Sequence, residues 1–124
     1  MTKNPRDAAA EITGYHAHLY YDAASRPVAE WIRGEVGKRF PNAILGRWHD
    51  ELVGPHLLAM YQIAFAVADF AALVPFLMLN RNGLSILIHP ETDDAYEDHL
   101  VNSAWLGEKL PLNVANLPRR AAAE

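Results

Sequence analysis

The chain has 124 residues, 51% hydrophobic and 21% charged, a composition of one globular domain rather than of a disordered segment or a two-domain enzyme. Lysine and arginine number 11 against 15 aspartates and glutamates, and this net charge of −4 argues against nucleic acid or an anionic membrane as the main partner. Cysteine is absent, which excludes disulfides, thiolate metal sites and cysteine nucleophiles, while six histidines leave imidazole as the side chain for metal or acid/base chemistry.

The first residues, Met1-Thr-Lys-Asn-Pro-Arg-Asp, have no apolar run behind them and do not read as a signal peptide. The most apolar stretch, Ile63 to Leu79, is interrupted by Asp69 and Pro75 and is too short to span a bilayer. A cytoplasmic protein without a membrane partner is expected. It forms a single domain over 1–124, with an ordered core over about 12–118 and frayed ends, the last of them Arg119 to Glu124.

Tyr15 to Tyr21 alternates and is rich in aromatics, which predicts a strand. Ser25 and Pro27 open a helix whose apolar stripe is Val28, Trp31, Ile32, Val36 and Phe40, with Trp31 in the core. Pro41-Asn42 ends that helix, and Ala43 to His49 predicts a second strand. A turn at Gly54-Pro55 leads into a third strand from His56 to Ala66. Asp69 caps a second helix with Leu73, Val74, Leu77 and Met78 on its inner side and Pro75 within it. Asn80-Arg-Asn-Gly83 stops that helix in a left-handed turn, and Leu84 to His89 is a fourth strand. Thr92 caps a third helix running to about Ala104, and Leu106 to Pro118 is extended. The order βαββαβ, with a C-terminal helix and arm, predicts a ferredoxin-like α+β sandwich with one antiparallel sheet in the order 4-1-3-2. Helices cover one face of such a sheet. A second subunit or a ligand is expected to cover the other, which makes a homodimer the expected assembly.

Strand alternation assigns the histidines to that second face. His16, His18 and Tyr20 share one side of the first strand, His56 lies on the matching side at the start of the third, and His89 at the end of the fourth. Three imidazoles from adjacent strands suit Fe(II), Zn, Cu or Ni, with His18, His56 and His89 the candidate metal ligands and His16 an alternative nearer His89. Each has a plainer reading as a hydrogen-bonded or solvated residue, as do His49 and His99. Trp48, beside Arg47 near the end of the second strand, lines a pocket or packs on the turn. Glu97 and Asp98 either orient an imidazole or are surface carboxylates. No phosphate-binding loop, dinucleotide fingerprint or Gly-x-Ser-x-Gly occurs.

His18-Leu-Tyr-Tyr, Gly54-Pro-His56, Asn80-Arg-Asn-Gly-Leu-Ser85 leading to His89-Pro90, and His99 followed six residues later by Trp105-Leu-Gly resemble, in this order, the DOPA 4,5-dioxygenase family of fungi and bacteria. The resemblance runs from about Tyr15 to Leu117. It implies an extradiol ring-cleaving dioxygenase that opens a DOPA-like catechol with O2 at a non-haem Fe(II), with Zn or Ni as substitutes in a purified sample. His18, His56, His89 and His99 match motif histidines; His16 and His49 match none. On this reading His99, or a histidine left unligated such as His16, and Tyr20 are the expected catalytic residues, and Tyr20 and Arg47, with Trp48 beside it, the expected substrate-binding ones. No carboxylate lies on the proposed face, so either three histidines complete the site or Glu97, Asp98 or Glu51 reaches in. The rival reading is a non-catalytic dimeric α+β barrel protein that binds a small aromatic ligand through the same histidines, and a metal-storing domain without turnover is the third.

Overall fold

The computed structural model describes residues 4–119. The expected frayed stretch at the extreme carboxyl end, beyond Arg119, lies outside the described residues, as do the first three residues. Strands β1 (Gly14–Tyr21), β2 (Ile44–Leu45), β3 (Ala59–Phe65), β4 (Ile86–Glu91) and β5 (Ala104–Leu106) form one antiparallel sheet in the order β2-β3-β1-β4-β5. Helices are α1 (Ala8–Glu11), α2 (Arg26–Arg39), α3 (Phe70–Asn80) and α4 (Ala95–Leu100). The predicted βαββαβ order and the central place of the first strand both hold, and β5 extends the sheet beyond β4.

The helix-side core is built from alternate strand residues (Ala17, Leu19 and Tyr21; Tyr61, Ile63 and Phe65; Ile86 and Ile88) under Ile32 and Val36 of α2 and Leu73 and Leu77 of α3. The Tyr61 hydroxyl donates to the Ala29 carbonyl at 2.6 Å, so the one polar atom of this buried ring is satisfied by the helix above it. Gly83 (φ +86°), preceded by Asn82 (φ +49°), makes the left-handed turn after α3 that the sequence predicts.

Several expectations are corrected. Trp31 is 47% exposed, because the buried stripe of α2 is Ala29, Ile32 and Val36 and Trp31 lies beside it; Met78 is likewise exposed, next to the buried Leu77. The second strand is reduced to two residues, although Gly46 and His49 still bond backbone to backbone with Gln62 and Met60. The third strand starts at Ala59 rather than His56, and the fourth continues through Pro90 to Glu91. Asp94, not Thr92, caps α4 by accepting from the Glu97 N–H at 2.9 Å. That helix ends at Leu100, and Ala104 belongs to a strand. The arm also contains a 3₁₀ turn, Val114–Asn116.

The sheet's second face is not left open. Tyr20, Met60 and Leu87 form a small second core there, covered by Trp105, Leu110 and Leu112 of the chain's own C-terminal segment. The arm is pinned by a bridge between His56 and Leu112, by the Asn113 N–H on the Pro55 carbonyl (2.6 Å), and by the Tyr96 N–H on the Pro118 carbonyl (3.0 Å).

Candidate metal centre

Three kinds of element carry histidines into the space between the sheet and its C-terminal cover. β1 presents His16 and His18, and its register sets His16 opposite His89 of β4. His56 comes from the loop before β3, held by its bridge to Leu112. His99 comes from the last turn of α4. His18, His56 and His89 are 3%, 4% and 1% exposed. Ring centroids lie 4.2 Å apart for His18–His56, 5.1 Å for His18–His89 and 4.0 Å for His89–His99, with His56–His99 closing the circuit at 6.0 Å.

Among the described residues, two groups place one donor atom from each member within 4.8 Å of the others: His18, His56 and His99, and His16, His18 and His89. The expected set of His18, His56 and His89 is not such a group. His56 and His89 flank His18 on different sides, and His99 stands where the third donor meets the first two.

Each ring is oriented by a partner. Nδ1 of His99 lies 2.7 Å from the Ala95 carbonyl and Nδ1 of His89 2.9 Å from the Pro90 carbonyl. Nδ1 of His56 lies 2.6 Å from the Tyr20 hydroxyl, and Nε2 of His18 3.0 Å from Nε2 of His89. Such bonds leave His56 and His99 with Nε2 directed away from its partner, the arrangement that orients metal-binding imidazoles. Nδ1 of His18 is buried and has no hydrogen-bond partner.

Burial is the leading cause of the proton affinities here. It lowers His56 to about 4 and His89 to about 3, with the charge of His99 adding to both, and it holds His18 well below the usual range. His16 and His99 are lowered for the same first reason. All five imidazoles are therefore neutral at pH 7, the form that ligates a metal. Burial also raises the Tyr20 phenol above its ordinary value, keeping it protonated.

The carboxylate of this site is Glu91, which the sequence reading missed. Its Oε1 lies 3.1 Å from Nδ1 of His16 and 3.5 Å from Nδ1 of His89, and burial raises its proton affinity. The signal was available: Glu91 is two residues beyond His89 and shares its face once the strand is carried past Pro90. Asp98 is buried, but it accepts from the Thr92 N–H (2.8 Å) and hydroxyl (2.6 Å) and not from an imidazole. Glu97 takes Arg6 at 2.6 Å, and Glu51 is exposed. His49, which matched no motif, is close enough to His56 to disfavour its protonation.

The substrate-side candidates separate. Tyr20 belongs to the centre. Trp48 packs on Tyr21 and Tyr61 at the helix side of the sheet, with the Arg26 guanidinium 4.0 Å from its ring. Arg47 is exposed on the stretch between them. Two cavities of about 270 and 330 Å³ meet at Tyr20, Leu58 and Leu110, beside the centre. A larger one of about 370 Å³, lined by Tyr15, Phe70 and Ile88, borders it only through His89.

The model of the Dopa 4,5-dioxygenase family matches residues 15–116. A DOPA 4,5-dioxygenase of Amanita muscaria is 36% identical over 117 residues, covering 88% of this chain and 51% of that protein. An uncharacterized 21.2 kDa protein of Botryotinia fuckeliana is 31% identical over 116 residues, covering 85% of this chain and 63% of its own length. The chain thus spans about half to two thirds of the curated relatives it matches. A crystal structure of a candidate dioxygenase from Nostoc punctiforme superposes with a TM-score of 0.86 at 54% identity, covering 90% of this chain and 95% of that one. Matched over most of its length in sequence and in fold, and with its motif histidines gathered at one centre, the chain belongs to the Dopa 4,5-dioxygenase family.

Proposed function

We propose that the chain is an extradiol ring-cleaving dioxygenase that opens a catechol-type, DOPA-like substrate with O2, using a non-haem Fe(II) held by His18, His56 and His99. The convergence of these three donors carries the reading, and their chemistry fits: neutral imidazoles suit Fe(II), and equally Zn or Ni, the expected substitutes in purified protein. His18 also has a buried nitrogen with no partner, which a cation would satisfy. When bound, Fe(II) supplies the open coordination positions and the redox chemistry that ring opening by O2 requires.

The protein's own part is more specific. Burial of His18, His56 and His89 excludes competing water from the centre. The protonated Tyr20 phenol, next to the cavities walled by Leu58 and Leu110, holds a proton where a substrate hydroxyl would arrive. His16, more exposed and 3.1 Å from Glu91, is the group placed to accept the proton a catechol loses on binding.

Protein reconstituted anaerobically with Fe(II) and then given O2 with a panel of catechols tests the whole reading. Uptake of O2 is expected with at least one of them, together with a product heavier by both oxygen atoms. No uptake with any catechol, together with no iron retained, overturns it.

A further inference from the structure

We propose that His89 holds no metal itself but is a positioning residue: it accepts a hydrogen bond from Nε2–H of His18 and so fixes the tautomer in which His18 offers Nδ1 to the ion. The inference rests on the metal-centre reading above and assigns His89 a part in it other than ligation.

The hydrogen bonds lead to it one proton at a time. A carbonyl oxygen only accepts, so Nδ1 of His89, 2.9 Å from the Pro90 carbonyl, carries hydrogen. The Glu91 carboxylate, 3.5 Å from the same nitrogen, favours the same assignment. In the neutral ring Nε2 of His89 is then bare and is an acceptor. Nε2 of His18, 3.0 Å away, must donate to it. The proton of His18 is thereby placed on Nε2 and its Nδ1 is a bare lone pair. That is the nitrogen found buried with no partner, and among the described residues no other buried side-chain nitrogen or oxygen is in that state. Buried polar atoms are nearly always paired, so the bare nitrogen marks where a cation belongs.

The two companions have the same organisation. His99 has Nδ1 on the Ala95 carbonyl and His56 has Nδ1 beside the Tyr20 hydroxyl, so each offers Nε2. Three ligands would then each have the far nitrogen held by a protein acceptor: the Ala95 carbonyl, the Tyr20 oxygen and His89. The competing arrangement makes His18 and His89 both ligands through Nε2. A separation of 3.0 Å suits two ligands at right angles on an ion with bonds of about 2.1 Å. It moves the proton of His18 to Nδ1, however, where no acceptor lies within reach. Only the first arrangement satisfies every ring nitrogen of His18 and His89.

Zn(II)-loaded protein labelled with ¹⁵N at histidine distinguishes the two by long-range ¹H–¹⁵N correlation, which reads the state of each ring nitrogen in the intact chain. The expected result is Nδ1 of His18 metal-bound with a proton on Nε2, and His89 protonated on Nδ1 and free of metal. A metal-bound Nε2 on His89 overturns the proposal and leaves the metal centre standing. Failure of the chain to bind Zn(II) overturns both. As a second arm, His89→Leu should weaken Zn(II) binding about 10- to 100-fold, as loss of an orienting partner does, whereas His89→Gln, which keeps an acceptor oxygen, should restore most of it. Equal weakening in both variants overturns the proposal.

Discussion

The Tyr20 hydroxyl lies 2.6 Å from Nδ1 of His56, joining the C-terminal end of β1 to a loop held otherwise by one bridge and a few backbone bonds. This contact is what brings His56 to the centre. His56 lies outside the regular strand, so no ladder fixes its position, and the phenol does so instead. Tyr20→Phe keeps the ring, which stacks near Trp105 at 5.8 Å, and deletes only the oxygen. Zn(II) affinity should fall about tenfold or more, as for loss of an orienting hydrogen bond. The apo-protein should lose only about 1 kcal/mol. Metal titration beside urea denaturation separates the two, and an unchanged affinity would show that the phenol does not orient a ligand.

Stability should depend on pH through the buried imidazoles. His56 and His89 have native values of about 4 and about 3 against an ordinary 6.5, so between these limits the unfolded chain binds more protons than the folded one. The apo-protein should therefore be at full stability above pH 6.5 and lose it progressively as pH falls towards 3–4. Burial of His18 adds in the same direction. Urea denaturation at steps from pH 7.5 to 4 measures this, and a curve flat across that window would mean that the rings are open to solvent.

Much of this centre was legible because a strand has a period of two. Alternation alone set His16, His18 and Tyr20 on one face of β1, and the register with β3 and β4 bears that out. What lay outside a regular ladder was not legible in that way. His56 arrives on a loop, and His99 on a helix whose position depends on Asp98 and Thr92. Glu91 was missed because the predicted fourth strand ended at His89, whereas β4 continues through Pro90 and leaves Glu91 on the same face as His89. Trp31 was misplaced because its spacing fits a stripe, whereas the smaller Ala29 lets the helix approach the sheet with Trp31 turned outward. The cover over the second face was illegible for a related reason: Trp105, Leu110 and Leu112 show no period that would reveal what they pack on.

Gly107 follows β5 and turns the chain into the arm that covers the centre. It has φ +82°, and a Cβ there would meet Nη1 of Arg81 at 2.5 Å and the Leu84 carbonyl at 3.3 Å. Gly107→Ala should cost about 1–2 kcal/mol from the left-handed backbone, beyond what the flexible arginine absorbs by moving. Thermal unfolding gives the number, and a neutral outcome would mean that the turn relaxes freely.

Asp98 is only 2% exposed, and both its carboxylate oxygens are engaged by Thr92, on the backbone N–H and the hydroxyl. This pair fastens the start of the β4–α4 connection to the helix that carries His99. Bonds to a charged group contribute about 1.5–3 kcal/mol each, so Asp98→Ala should destabilise the chain by about 3 kcal/mol. It should also weaken Zn(II) binding, because α4 is no longer fixed against β4. Glu97, one residue earlier, is the control: its carboxylate pairs with Arg6 near solvent, and Glu97→Gln should change stability by less than about 1 kcal/mol and leave metal affinity intact. Zn(II) titration and urea denaturation of both variants decide between the two effects of Asp98. Large destabilisation with wild-type affinity would mean that His99 is not among the ligands, since a ring carried on a loosened helix would not hold an ion with native strength.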